Sequence, residues 1–477
     1  MSVACLQKKW YLRATIIILL KKLLYNSYFM SKNIVLKKGL NIPVKGAAEL
    51  RVCKAVCSDV IAIQPSDFKG LIPRLLVREG DAVAAGSPVM SDKIHPDIIL
   101  TSPVSGKVKE IVRGEKRKLL AVLIENDHEN NRADFGTKGK AADAAAVRKA
   151  LLESGLWTCL VQRPYGIIAN PEVTPKGIFV SGFSTAPLAA DVNFCFGDEV
   201  NAIQAGVNAL ATLAEVHFSI NCPKSPFAKL ENCTIHSFSA KKHPAGNVGV
   251  QIASISPILK DETVWTVSLA GLAAIGKLFQ TGSIDLRRKV AVCGPMAIEP
   301  SYIIALPGTP VAEVKGHYGT NAESVRFISG DLLSGRNIGE GGYLGWHDNQ
   351  FTLIAEGDQK EYFGWIRPIR YKQYSHDHSY FSWLMPWRKY DLTTNLHGGP
   401  RAFLMNDGYY AKVLPMDIYP LYLTKACLAG DIEKMEKFGI YEVLPEDLAI
   451  CEFVDPSKNY IQDMIANGID LMLKEMA

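Results

Sequence analysis

From Lys69 to Gly114 the chain reads KGLIPRLLVREGDAVAAGSPVMSDKIHPDIILTSPVSGKVKEIVRG. Its apolar runs are short, and Gly70, Gly80, Gly86, Pro103, Gly106 and Gly114 separate them. Regular turn residues between short apolar runs predict brief strands closed into a small β-domain, because glycine and proline supply the backbone angles of tight turns. Such a domain is only a fraction of 477 residues. At roughly 100–200 residues per compact domain, three or four domains are expected.

The rest of the chain changes character in order. Residues 129–145 are polar and alanine-rich and read as a linker. RKALLESGLW then has helical spacing, with Leu151, Leu152 and Leu156 on one face. The run GIFVSGF (177–183) and the helical stripe of Val200, Ile203, Val207, Leu210 and Leu213 predict an α/β domain over 141–285. RKVAVCGPMAIEPSYIIALPGTPVAEV (288–314) reads as strand, turn, strand, Pro-Gly turn and strand. VRFISGDLLSG adds another strand and a turn, so a β-grasp domain is expected over 286–356.

Beyond Tyr362 the chain is irregular and aromatic, with YKQYSHDHSYFSWLMPW over 371–387. A C-terminal helical domain completes the span 357–477. Asp431 is placed to cap IEKMEKF and Gly439 to end it. Pro445, with Glu446 and Asp447, suits the first turn of the next helix. Ile461, Met464, Ile465, Ile469, Met472 and Leu473 form one stripe on the last helix, which predicts core packing.

Charge narrows the function. Residues 1–30 hold Lys8, Lys9, Arg13, Lys21 and Lys22 and no acid. Removing these five from the 53 basic residues leaves 48, equal to the 48 acidic ones. The body of the chain is thus neutral, which argues against nucleic acid or an anionic membrane as partner. The run Thr15–Leu20 is far shorter than the ~20 residues of a membrane span. The expectation is that 1–30 is an upstream extension and that the native start is Met30 or Ser31.

Chemistry-bearing motifs are sparse. The cysteines at 5, 53, 57, 159, 195, 222, 233, 293, 427 and 451 form no CxxC, so no zinc or iron–sulfur site is expected. The pair His376 and His378 around Asp377 lacks further ligands, and the metal expectation is none. No GxGxxG or GxxxxGK[ST] follows a strand. The glycine cluster HPAGNVG (243–249) reads as a surface loop; His243, with Lys241 and Lys242, is a weak candidate for meeting an anion. No catalytic residue is assigned.

The pair GDAVAAGSPV and SPVSGKVKEI resembles a biotinyl/lipoyl-type barrel-sandwich domain, whose hairpin lysine carries the cofactor. Lys93 falls near that place, but His95 and Pro96 depart from both carrier motifs, so an unmodified lysine is expected. More widely, KKGLNIPVKG (37–46), GDAVAAGSPVMSDKIHP (80–96), SPVSGKVKEIVRGEKR (102–117), HPAGNVGVQI (243–252), FGWIRP (363–368), PMDIYPLYL (415–423) and LAICEFVDP (448–456) resemble the NqrA family. Members of that family are components of the sodium-translocating NADH:quinone reductase (Nqr) complex, and the likeness covers 31–477.

The resemblance implies an α+β multidomain fold: a barrel-sandwich hybrid (biotinyl/lipoyl-like) domain over 31–140, an α/β domain like the flavin subunit of complex I, a soluble-ligand-binding (SLBB-like) β-grasp domain and C-terminal helices. It implies a peripheral subunit on the cytoplasmic face of the bacterial inner membrane, supporting quinone reduction and assembly. The partners would be the hydrophobic membrane subunits and the NADH-oxidising subunit. NADH, flavins and Fe-S would sit in those partners; no cofactor would be held by this chain, although quinone is a possible ligand. Asp455 stands where a cluster-binding relative would show a cysteine. Two alternatives stay open: an RNF-like electron-entry subunit binding flavin, and a carrier protein modified on Lys93. The aromatic stretch Tyr371–Trp387 is the expected docking surface for partners.

Overall fold

The computed structural model describes residues 32–139, 143–317, 325–357, 361, 363–364, 369–395 and 406–476. The proposed extension 1–30, the start at Met30 or Ser31 and four residues of FGWIRP lie outside the described residues.

The glycine-punctuated region forms two small antiparallel sheets. One orders Val60–Ile63, Leu119–Asn126, Gly106–Arg113 and Ala82–Val83; the other orders Pro73–Leu75, Pro88–Asp92 and Ile99–Thr101. Ile61, Ile63, Val89, Met90, Leu100, Val108, Val122 and Ile124 are buried in its core. Gly106 is required: at φ +146 a Cβ would stand 1.8 Å from the Glu125 carbonyl oxygen.

A seven-stranded sheet follows. Its order is Asn33–Val35, Thr234–Ser239, Val216–Ile220, Ile178–Ser181, Val264–Val267, Leu160–Arg163 and Ile167–Ile168. The first five strands run parallel and the last two turn antiparallel. The inner strands are apolar with little alternation because helices cover both faces. Val200–Leu210 and Leu269–Thr281 lie against each other over one face. They touch through Gly206 and Gly276, where a Cβ would come within 2.4 Å of the Leu272 oxygen and 1.7 Å of the Ala202 oxygen. Val248–Ile255 covers the opposite face with Phe179, Phe183, Phe238 and Ile252.

A six-stranded sheet orders Arg336–Asn337, Val325–Ser329, Gln350–Ala355, Arg288–Cys293, Ser301–Ala305 and Val52–Ala55. The third strand expected near 311–314 is instead a 3-10 helix, Val311–His317. Val311 and Val314 are both fully buried, a spacing of three that a strand's alternation would split between two faces.

Two other expectations shift. The barrel-sandwich region does not begin at residue 31. Asn33–Val35 is an edge of the seven-stranded sheet and Val52–Ala55 an edge of the six-stranded sheet, so the barrel strands start at Val60. Long-range edge pairing leaves no local pattern to read. Nor is 129–139 a free linker. Ala133 donates to Ala85, Phe135 to Gly282, and the Thr137 hydroxyl to Leu278.

The helices Asp407–Val413, Pro420–Ala429, Ile432–Phe438, Ala449–Val454 and Ile461–Met476 close the chain. Their core holds Ile465, Ile469 and Met472 of the last helix, with Ile42, Val44 and Val250 from earlier in the chain. The last stripe is therefore core, as its spacing predicts. Asp431 caps Ile432–Phe438 through Lys434 N, and Gly439 ends it at φ +99. Pro445–Leu448 is a 3-10 turn that leads into Ala449–Val454.

Candidate functional site

Open α/β sheets bind ligands outside the carboxyl ends of their strands, where the strand order reverses. Here the chain leaves Ile178–Ser181 toward Val216–Ile220 on one side and places Val264–Val267 on the other. A cavity of about 360 Å³ opens at this point. Its floor is Ser181, Phe183, Thr266 and Val267, and the loop His347–Asn349 and Leu444–Glu446 close it from two other parts of the chain. A second cavity of about 450 Å³ lies beside Gly182–Asn193, against Asn41–Val44, Asn221 and Lys389.

The charged group at the first cavity is Arg163, 1% exposed at the end of Leu160–Arg163. Its Nη1 donates to Asp447 Oδ2 at 2.7 Å and its Nη2 to Glu446 Oε1 at 2.8 Å. Burial alone would favour the neutral guanidine, but the two carboxylates outweigh it and hold Arg163 charged. Burial pushes the Glu446 carboxyl up; Arg163 opposes this and Asp447 adds to it. Asp447 is fully buried and also accepts from Leu444 N at 3.1 Å. A buried arginine held by two acids fixes the C-terminal segment onto the α/β sheet.

The glycine loop 243–249 is occupied by the protein itself. A Cβ on Gly249 would fall 2.1 Å from Asp447 Oδ2, and one on Gly246 would fall 2.5 Å from Thr185 N. Asn247 Nδ2 donates to the Glu446 carbonyl. The start of Val248–Ile255 thus faces the chain's own carboxylate where a phosphate would sit in a nucleotide-binding loop.

The two weak candidates sit apart. His243 is 4% exposed, not on the surface, because its backbone exchanges both hydrogen bonds with Leu40. Neither ring nitrogen has a hydrogen-bond partner among the described residues. Burial pushes its pKa down, against Asp331 and Asp447. Lys241 and Lys242 are exposed. Lys93 is exposed at the start of the turn between Pro88–Asp92 and Ile99–Thr101. Asp92 pins that turn by accepting from Ile72 N and His95 N.

The remaining motifs resolve as follows. His376 meets the Tyr409 ring while His378 stacks on Trp383, so the two imidazoles have different neighbours. Among the described residues no group of three or more His, Cys, Asp or Glu is placed to hold a metal. Asp455 is buried and accepts from Tyr410 and Asn459. Within the aromatic stretch Tyr371, Phe381, Trp383, Leu384 and Trp387 are exposed, the last by 78%.

Sequence reasoning did not single out Arg163, His347 or Asn349, and took Glu446 and Asp447 for helix-start acids. An arginine ending the apolar strand LVQR was the one available signal.

Two family models match. The NqrA N-terminal barrel-sandwich hybrid domain covers residues 34–127, and the NqrA second alpha/beta domain covers 142–284. A protein of Rhodopirellula baltica, named as the A-type subunit of Na(+)-translocating NADH-quinone reductase, is 33% identical over 453 residues, 92% of this chain and 98% of its own length. A protein of the same name from Neisseria meningitidis is 34% identical over 451 residues, 93% of this chain and all of its own. Among solved structures, an NAD+-reducing [NiFe]-hydrogenase in the H2-reduced state is similar at 13% identity. Its TM-score of 0.31, over 45% of this chain and 47% of that one, is too low to bear on the fold.

Proposed function

The chain belongs to the NqrA family of Na(+)-translocating NADH-quinone reductase subunits, and from that membership we propose that it is a peripheral subunit supporting the quinone step. The observation that carries this reading is the end-to-end match to relatives bearing that name. The cleft at the strand ends gives it a place. Apolar walls from Phe183, Phe196, Val248 and Leu269, with a few polar groups including Ser181, Thr266 and Asn349, suit a flat apolar head bearing carbonyl oxygens. The filled glycine loop argues against a flavin phosphate there, and so against the electron-entry alternative.

The order of the six-stranded sheet supports reading 286–356 as an SLBB-like β-grasp module, and the helices after residue 406 as a docking or bracing domain. No helix among the described residues is long and apolar enough to cross a membrane. Retention at the cytoplasmic face is then the work of protein partners, with the exposed aromatics of Tyr371–Trp387 as the contact.

A photoreactive quinone analogue added to the assembled complex tests the cleft. Labelled peptides containing Phe183, Val248 or Asn349 are expected, and Asn349→Leu should raise the KM for quinone more than it lowers kcat. Labelling confined to other subunits, with KM unchanged in the variant, would remove the quinone role from this chain.

A further inference from the structure

Away from every cavity described above, three reactive side chains meet where the six-stranded sheet hands the chain to the barrel. Cys57 and Asp59 lie between the strands Val52–Ala55 and Val60–Ile63. His128 follows Leu119–Asn126, which pairs with Val60–Ile63 and so brings residue 128 back to residues 57–59. Cys57 Sγ stands 3.0 Å from His128 Nδ1, and His128 Nε2 stands 3.1 Å from Asp59 Oδ1.

The neighbours decide which ring nitrogen carries the proton. Asn126 Oδ1 accepts from His128 N, and Asn126 Nδ2 donates to the Ser58 carbonyl. Two backbone groups therefore fix the amide's orientation. Asn126 Nδ2 also lies 3.2 Å from His128 Nδ1. An amide NH2 only donates, so Nδ1 is the acceptor and the proton of the neutral ring is on Nε2, directed at Asp59. The lone pair thus faces the thiol. The thiol is exposed, as a group that meets a soluble reagent must be. Asp59, 91% exposed, orients the ring more than it stabilises a charge.

We propose that Cys57 is a nucleophilic thiol that exchanges with small-molecule disulfides, with His128 as its base and Asp59 as the positioning residue. His128 Nδ1 takes the Sγ proton, and the thiolate attacks one sulfur of the disulfide. A Cys57–sulfur bond forms as the reagent's S–S bond breaks. The departing thiolate takes the proton back from Nδ1, so one thiol and one disulfide give one mixed disulfide and one thiol. The adduct sits at the joint between two sheets and is removed by excess thiol.

The test treats the full chain with dithiobis(nitrobenzoate) at pH 7, follows release of thionitrobenzoate, and locates the adduct by peptide mass. One fast phase is expected on Cys57, absent in Cys57→Ser and reversed by dithiothreitol. His128→Asn, chosen because asparagine tolerates the positive φ of that position, should slow it by about tenfold or more. If that variant loosens the fold and exposes buried thiols, Asp59→Ala decides, and a slowed Cys57 phase supports the relay. A fast phase that maps to Cys53, beside Arg51, overturns the proposal. So does a Cys57 rate unchanged in both the His128 and Asp59 variants.

Discussion

At the scale of single residues, Arg163 and Asp447 illustrate what a linear reading misses. They are 284 positions apart, and each has a bland local context: a strand-end arginine and an acid after a proline. Only the folded chain buries them together. Arg163→Met leaves Asp447 buried without its charge partner and should cost about 3–5 kcal/mol. The expected result is an early transition in a denaturant titration, partly recovered when Asp447→Leu is added. Two histidines set a pH limit. Burial pushes His217 and His236 down to about 4, with each other or Lys32 adding to the effect. Their folded values lie below the ordinary 6.5, so between 6.5 and about 4 the unfolded chain binds more protons. Their contribution is present above 6.5 and lost as the pH falls. Glu442, raised to about 7 by burial and then by Asp417, works in the opposite direction, losing its contribution as pH rises from 4.5 through 7. Thermal melts should show a lower Tm at pH 5 than at pH 7.5, with a smaller drop in the double variant His217→Gln, His236→Asn. For Lys93, intact mass should equal the sequence mass; an added lipoyl or biotinyl group would revive the carrier alternative.

Elements were legible where their own residues determine them. Asp431 and Gly439 mark the two ends of Ile432–Phe438, because a cap and a left-handed glycine act within one turn. The barrel strands were legible from their glycines. The segment at 311–314 was not, since four residues fit either period until burial shows which face is covered. The crossing of Val200–Leu210 with Leu269–Thr281 was equally hidden: Gly206 and Gly276 look like weak points in two helices until their neighbours are known. Gly276→Ala places a Cβ against backbone, not against a side chain that can move, and should cost about 1–3 kcal/mol. Gly341→Ala, with nothing within 4 Å, should stay within about 0.5 kcal/mol of the parent. Parallel thermal melts compare them; equal melting points would mean that the helices move apart freely. The cleft itself was not legible, because its walls come from the α/β sheet, residues 347–349 and residues 444–446.

For the whole molecule, the exposed aromatics make a prediction about assembly. Trp383→Ala with Trp387→Ala should leave the far-ultraviolet spectrum unchanged while lowering recovery with the membrane subunits after detergent extraction. Equal recovery would move the docking surface elsewhere, and an unfolded variant would show these rings to be core. A last consequence concerns timing. Asn33 pairs with Ser237, and Val52 with Tyr302, so two early strands wait at the ribosome for partners made much later. The barrel can close once residue 126 has emerged, but the segment before it stays unpaired while the next domain is translated. A chain cut after residue 286 would present Val52–Ala55 as an open edge. Release of this protein from synthesis is thus a moment at which its first strands become anchored, and chaperones holding extended apolar chain would be needed until then.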